Sequence, residues 1–126
     1  MDNKDYVSYD VAKALKEKGY NIPCDSFFEE NPDGLICWVC VHEPKKEVTE
    51  NEYLQPALYD ANKWLRNKFN ICVEVSGLGI NKYRCFVRKL RTEDSECLYY
   101  PRLSAHAEMS YEEALNEGIK RALKYI

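Results

Sequence analysis

Two stretches of the chain repeat apolar residues at helical spacing. Leu58, Ala61, Trp64, Leu65 and Phe69 do so behind Pro56, and Tyr111, Leu115, Ile119, Ala122, Leu123 and Ile126 do so behind Ser110. Spacing of three and four places such residues on one side of a helix, so helices are predicted over Pro56–Phe69 and Ser110–Ile126. Asn70 suits the end of the first, and Lys63, Arg66 and Lys68 lie toward the negative end of its dipole. Ser110 with Glu113 forms a capping-box pattern at the start of the second. Gly118, beside the apolar stripe, predicts a close backbone approach to a neighbour. A shorter stripe of Val11, Ala12 and Leu15 follows Ser8 and stops at Gly19, which predicts an opening helix over Tyr9–Lys18.

Between these helices the period changes from near four to two. Ile71, Val73 and Val75 alternate with Cys72, Glu74 and Ser76, and after Gly77-Leu78-Gly79-Ile80-Asn81 the chain returns from Lys82 to Lys89. On the return arm Tyr83, Cys85 and Val87 share one face, while Arg84, Phe86 and Arg88 share the other. Cys97–Tyr100 is predicted to add a short edge strand. A second hairpin is predicted about Asn31-Pro32-Asp33-Gly34, whose residues suit successive turn positions. Its outgoing arm, Leu35-Ile36-Cys37-Trp38-Val39-Cys40-Val41, is apolar on both faces, which predicts a strand covered on both sides in the sheet interior. Glu43 to Gln55 reads as a polar connecting loop. The expected fold is α+β: a single domain spanning residues 1–126, with a small, mainly antiparallel sheet built from two hairpins and packed against three helices.

A chain of 126 residues can bury a core without staples. Six cysteines would otherwise suggest a disulfide framework. Five of them lie in or beside predicted strands, where a free thiol behaves as a small apolar residue. The polar start, Met1-Asp2-Asn3-Lys4-Asp5, and the lack of any bilayer-length apolar run predict a cytoplasmic protein with reduced thiols and no membrane association. The net charge of −3 divides into −6 over residues 1–53 and +3 over residues 54–126, a polarised surface rather than a strongly basic one.

Candidate chemistry is sparse. Cys37-Trp38-Val39-Cys40 has C-x-x-C spacing, but strand residues three apart point to opposite faces, and no second ligand doublet exists for zinc. Cys40 and His42 would share a face as a thiol–base pair, with Glu43 or Glu74 to orient the imidazole; His106 is the other histidine. Gly77-x-Gly79 is explained by its hairpin turn, since lysine stands at position 82 where a phosphate loop needs glycine. No catalytic residue, metal ligand or cofactor is therefore assigned. Arg84, Phe86, Arg88 and Arg91 interleave bases with an aromatic ring, as single-strand nucleic-acid binders do, and carry the alternative of a nucleic-acid-binding module over 82–91. Ten tyrosines are the compositional oddity. Tyrosine is enriched at protein interfaces, so Tyr53, Tyr99, Tyr100 and Arg102, in loop-like regions, are the candidate protein contacts.

The run Gln55-Pro56-Ala57-Leu58-Tyr59-Asp60-Ala61-Asn62-Lys63-Trp64-Leu65-Arg66, with the hairpin and terminal helix after it, resembles a group of small proteins from gut Bacteroidales and their phages. Val7-Ser8 to Lys18-Gly19-Tyr20 is similar to their opening helix. The group has no assigned activity, so the resemblance transfers no catalytic residue. It implies a phage or mobile-element accessory protein. The function expected on all these grounds is non-enzymatic: binding a protein partner or self-associating, with nucleic-acid binding as the alternative and a thiol or metal site at Cys37, Cys40 and His42 as the second.

Overall fold

A computed structural model describes residues 5–101 and 109–126. The chain runs α1 (Tyr9–Glu17), β1 (Cys24–Glu30), β2 (Ile36–Lys45), β3 (Glu52–Leu54), α2 (Leu58–Phe69), β4 (Ile71–Gly79), β5 (Lys82–Leu90), β6 (Ser95–Tyr99) and α3 (Tyr111–Ala122), with a closing 3₁₀ turn over Leu123–Tyr125. The fold is α+β. Each predicted hairpin becomes the nucleus of its own three-stranded antiparallel sheet, in the orders β2-β1-β3 and β4-β5-β6. No helix among the described residues is long and apolar enough to cross a membrane.

One apolar cluster joins the two sheets. It takes Val11 and Leu15 from α1, Phe28 and Leu54 from the first sheet, Leu58, Trp64 and Leu65 from α2, Ile71, Val73 and Val87 from the second sheet, and Leu115 and Ile119 from α3. A small void beside it, between α1 and Leu54, measures ≈ 10 Å³, about the least that admits one water. Helix ends follow the residues placed there. Asn70 adopts the left-handed conformation at the C-terminus of α2 (φ 57°), and Gly19 does the same after α1 (φ 88°). Both arms of the Ser110–Glu113 capping box form. Ser8 stands at the N-cap position of α1 without a side-chain capping bond: its hydroxyl donates to the Asp10 carboxylate and accepts from Asn116 Nδ2 at 2.9 Å, which ties α1 to α3. Pro56 stands before the helix rather than in its first turn; α2 begins at Leu58, and the Pro56 carbonyl accepts from Val7 N–H at 3.1 Å.

Two expectations about the first sheet are corrected. The segment 43–55 is not all loop: β2 continues through Lys45, and Glu52–Leu54 forms β3, paired to β1. And β2 is not interior. It is the edge of its sheet, with β1 on one side only, and Leu35 (62% exposed), Ile36 (39%) and Trp38 (37%) face solvent. The interior place belongs to β1, whose Ser26, Phe27 and Phe28 are buried.

Candidate functional site: the open edge of the first sheet

Each sheet edge exposes a row of backbone donors and acceptors that another chain could pair with, so how a fold covers its edges shows where it can be joined. The edge at β4 is capped at one point, Val73. Asn62, on α2, offers its side-chain amide as a substitute strand: Nδ2 donates to the Val73 carbonyl at 3.2 Å, and Oδ1 accepts from Val73 N–H at 3.3 Å. The edge at β6 is five residues long and carries Glu96, held by Arg91 at 2.6 Å. The edge at β3 is three residues long, and the Lys16 ammonium, reaching across from α1, donates to the carbonyls of Thr49, Glu50 and Glu52.

β2 differs. It is ten residues long and carries no formal charge from Ile36 to His42. No element among the described residues pairs with its outer side. The Asn31 N–H donates to the Leu35 carbonyl at 2.8 Å. Because backbone groups alternate along an antiparallel ladder, Leu35, Cys37 and Val39 turn theirs toward β1, and Ile36, Trp38 and Cys40 turn theirs outward. The Trp38 indole does not project over this edge. Its Nε1–H donates to Gln55 Oε1, which also accepts from the buried Ser26 hydroxyl at 2.8 Å, while Gln55 Nε2 donates to the Val7 carbonyl at 3.0 Å. Gln55 thus pins β2, β1 and the segment before α1 together from beneath, and fixes the edge in place.

The residues singled out from sequence scatter over the molecule. Tyr53 is buried (9% exposed), its ring edge-on to Tyr9 with the Lys16 ammonium 4.6 Å from its centroid, so its contact area is used inside the fold. Tyr99 is half-buried beneath the Arg121 guanidinium at 4.2 Å. Tyr100 is 59% exposed and leans edge-on against Phe86. Arg102 and His106 lie outside the described residues.

On the outer face of the second sheet, Arg84 lies 5.5 Å over the Phe86 ring, and its Nε and Nη1 are buried without a hydrogen-bond partner among the described residues. Arg88 pairs with Glu74 at 3.3 Å, and Arg91 pairs with Asp94 and Glu96. Two of the three arginines in the basic run are therefore engaged by acids of their own sheet.

Cys37 and Cys40 are exposed and stand on opposite faces of β2, as expected from their spacing. Glu74 is on the other sheet, paired with Arg88, and does not orient His42. Among the described residues no group of three His, Cys, Asp or Glu side chains is placed to hold a metal ion. Of the six free cysteines, Cys24 and Cys85 are buried and Cys72 is half-buried. Burial pushes the Cys24 thiol up to about 12 and raises those of Cys72 and Cys85. Only thiolate attacks a disulfide reagent, so titration of the native protein with an aromatic disulfide at neutral pH is expected to label Cys37, Cys40 and Cys97 quickly. Cys24 and Cys85 should wait for denaturant. Fast labelling of Cys24 would show that the segment around it opens readily.

Two depressions open on the surface near the first sheet. The larger, ≈ 480 Å³, is lined by Glu30, Asn31, Glu50 and Asn51; the other, ≈ 240 Å³, by Tyr6, Asp25, Gln55 and Asp60. The smaller also takes in Cys24 beside the two aspartates, but burial and those carboxylates hold its thiol protonated. Compared with known proteins, the chain matches no family model, no curated protein and no solved structure.

Proposed function

We propose that this chain is a non-enzymatic accessory protein of a phage or mobile element, working in the cytoplasm through protein–protein contacts, and that the outer edge of β2 is its docking element. One observation carries the reading: β2 is uncharged and mainly apolar from Ile36 to His42 and stands open there, its proline and lysine confined to the far end at Pro44 and Lys45, while the β3 and β6 edges are short and the β4 edge is capped at Val73. Proteins that do not use such an edge usually blunt it with lysine, proline or a covering segment, and strand addition to an open edge is a recurrent mode of protein recognition. The test compares capture of partners by the wild type, by the edge double variant Ile36→Lys/Cys40→Lys, and by Tyr100→Ala. Binding lost in the edge variant and kept in Tyr100→Ala supports the reading. Binding lost only in Tyr100→Ala moves the interface to the tyrosine patch, and an edge variant that binds as well as wild type refutes β2 as the docking element.

A second reading, nucleic-acid binding along 82–91, is favoured by the Arg84 guanidinium, whose stacked plane and unpartnered donors suit a base or a phosphate. Salt-dependent binding of single-stranded nucleic acid that Arg84→Ala abolishes would support it, and no binding at low salt would remove it.

A further inference from the structure

We infer that Arg84, with Ser76 opposite it and the Phe86 ring beneath it, is a receptor for a single phosphate group, and that its ligand is a nucleoside monophosphate. The inference rests on the second reading, nucleic-acid binding along 82–91, and narrows it from a strand to one phosphate and one base. A guanidinium is always charged and presents five N–H donors. Nε and Nη1 of Arg84 are shut off from solvent, and no acceptor among the described residues takes a hydrogen bond from them. A buried donor left so destabilises the fold, and a buried charge without its counter-ion does so further. The cations that follow it in the chain are engaged: Arg88 by Glu74 at 3.3 Å, Lys89 by the Phe69 carbonyl at 2.7 Å and Arg91 by Glu96 at 2.6 Å. Arg84 is the one arginine of the run whose cost an incoming oxyanion would lift.

Its position agrees. Arg84 lies on the central strand of its sheet, directly opposite Ser76 in the ladder with β4, and opposed residues share a face, so guanidinium and hydroxyl can donate to one oxyanion. The Glu74 carboxylate on the same face is held by Arg88. The Phe86 ring lies 5.5 Å from the guanidinium, and the Tyr100 ring, largely exposed, meets Phe86 edge-on at 5.2 Å. An oxyanion reaches Nε and Nη1 when the flexible arginine stem turns the guanidinium off Phe86, and a base then takes its place on that ring. Charge decides between a strand and a single nucleotide. A strand is held through several phosphates at once, whereas the three arginines of this run leave one guanidinium without an acid of its own.

The experiment titrates the full chain, in phosphate-free buffer, with a 5′-mononucleotide, the matching nucleoside, inorganic phosphate and a single-stranded oligonucleotide. It follows the Arg84 Nε–H and the β5 amides by NMR. The mononucleotide should shift them with a Kd on the order of 1 mM, tenfold or more below that of the nucleoside or of inorganic phosphate. Arg84→Met should lose this response, yet melt about 3 °C above wild type without ligand, because an unpaired buried charge has gone. Phe86→Leu should weaken the mononucleotide to the level of inorganic phosphate. The oligonucleotide should bind with a salt slope of about −0.7, the value for one phosphate. A slope of about −2 or steeper overturns the single-phosphate site in favour of a strand. Inorganic phosphate as tight as the mononucleotide overturns the base. An Arg84→Met variant that melts below wild type overturns the argument from burial. Oligonucleotide bound with no shift at Arg84 overturns the receptor and keeps the second reading, and no binding of any probe sinks both.

Discussion

Replacing Gln55 with leucine is expected to lower stability by about 2–4 kcal/mol, read as a fall in the urea midpoint with little change in slope. The side chain is 1% exposed, and its amide serves the Val7 carbonyl, the Ser26 hydroxyl and the Trp38 indole together. Leucine fills similar volume but can neither donate nor accept. The Val7 carbonyl then sits buried without its partner, and each such orphan costs about 1–3 kcal/mol. Ser26 keeps only the long contact to the Gln55 backbone carbonyl at 3.4 Å, while the half-exposed indole can turn to water. Adding Ser26→Ala removes one orphan, so the double variant should lose less than the sum of the singles. Full additivity would mean that the hydroxyl and the amide do not act together. Because Gln55 supports β2 from beneath, the Leu variant should also quicken hydrogen exchange at Cys37 and Val39, whose amides face β1, before the protein unfolds as a whole.

Gly118→Val is the second large effect, a loss of about 3 kcal/mol. A β-carbon built on Gly118 would lie 2.3 Å from Val73 Cγ1 and 3.0 Å from Cys85 Cβ. Val73 is β-branched and buried, with few rotamers to retreat into, and Cys85 Cβ moves only with the backbone of β5. Valine therefore forces α3 away from the sheet it packs on. Alanine makes the same clash with fewer atoms, and the roughly 1 kcal/mol that alanine gains over glycine in a helix offsets part of the cost. Gly118→Ala is expected to be destabilised by about 1–2 kcal/mol. A stabilised alanine variant would show that α3 does not approach β4 and β5 as closely as the distances state.

What could be read from the residues, and what could not, follows from the range of the forces involved. Helices and hairpins are local, so the stripes in α2 and α3, the capping box and the turn at Asn31-Pro32-Asp33-Gly34 all led to the right elements. Gly118 was legible for the same reason, as a glycine beside an apolar stripe. The place of a strand in its sheet is set by distant partners, and an apolar run on β2 reads alike whether another strand covers it here or only in an assembly. One signal was nonetheless present. Pro44 lies inside β2, and proline in a strand belongs to edges or bulges because it cannot donate to a ladder. Assigning 43–55 to a loop put Pro44 outside the strand and hid that clue. Tyr53 sat in the same segment, and its pairing to Phe28 turned an apparent surface tyrosine into a core one. The Gln55 hub joins residues 29 and 48 positions away, and no local pattern marks it.

The contrast between the two margins of the first sheet has a consequence for how far assembly can proceed. Lys16 occupies the Glu52 carbonyl at one margin, while no element among the described residues pairs with the other, so strand addition can extend this sheet in one direction only. Removing the lysine head group would free the second margin, and a sheet able to grow on both sides is one able to polymerise.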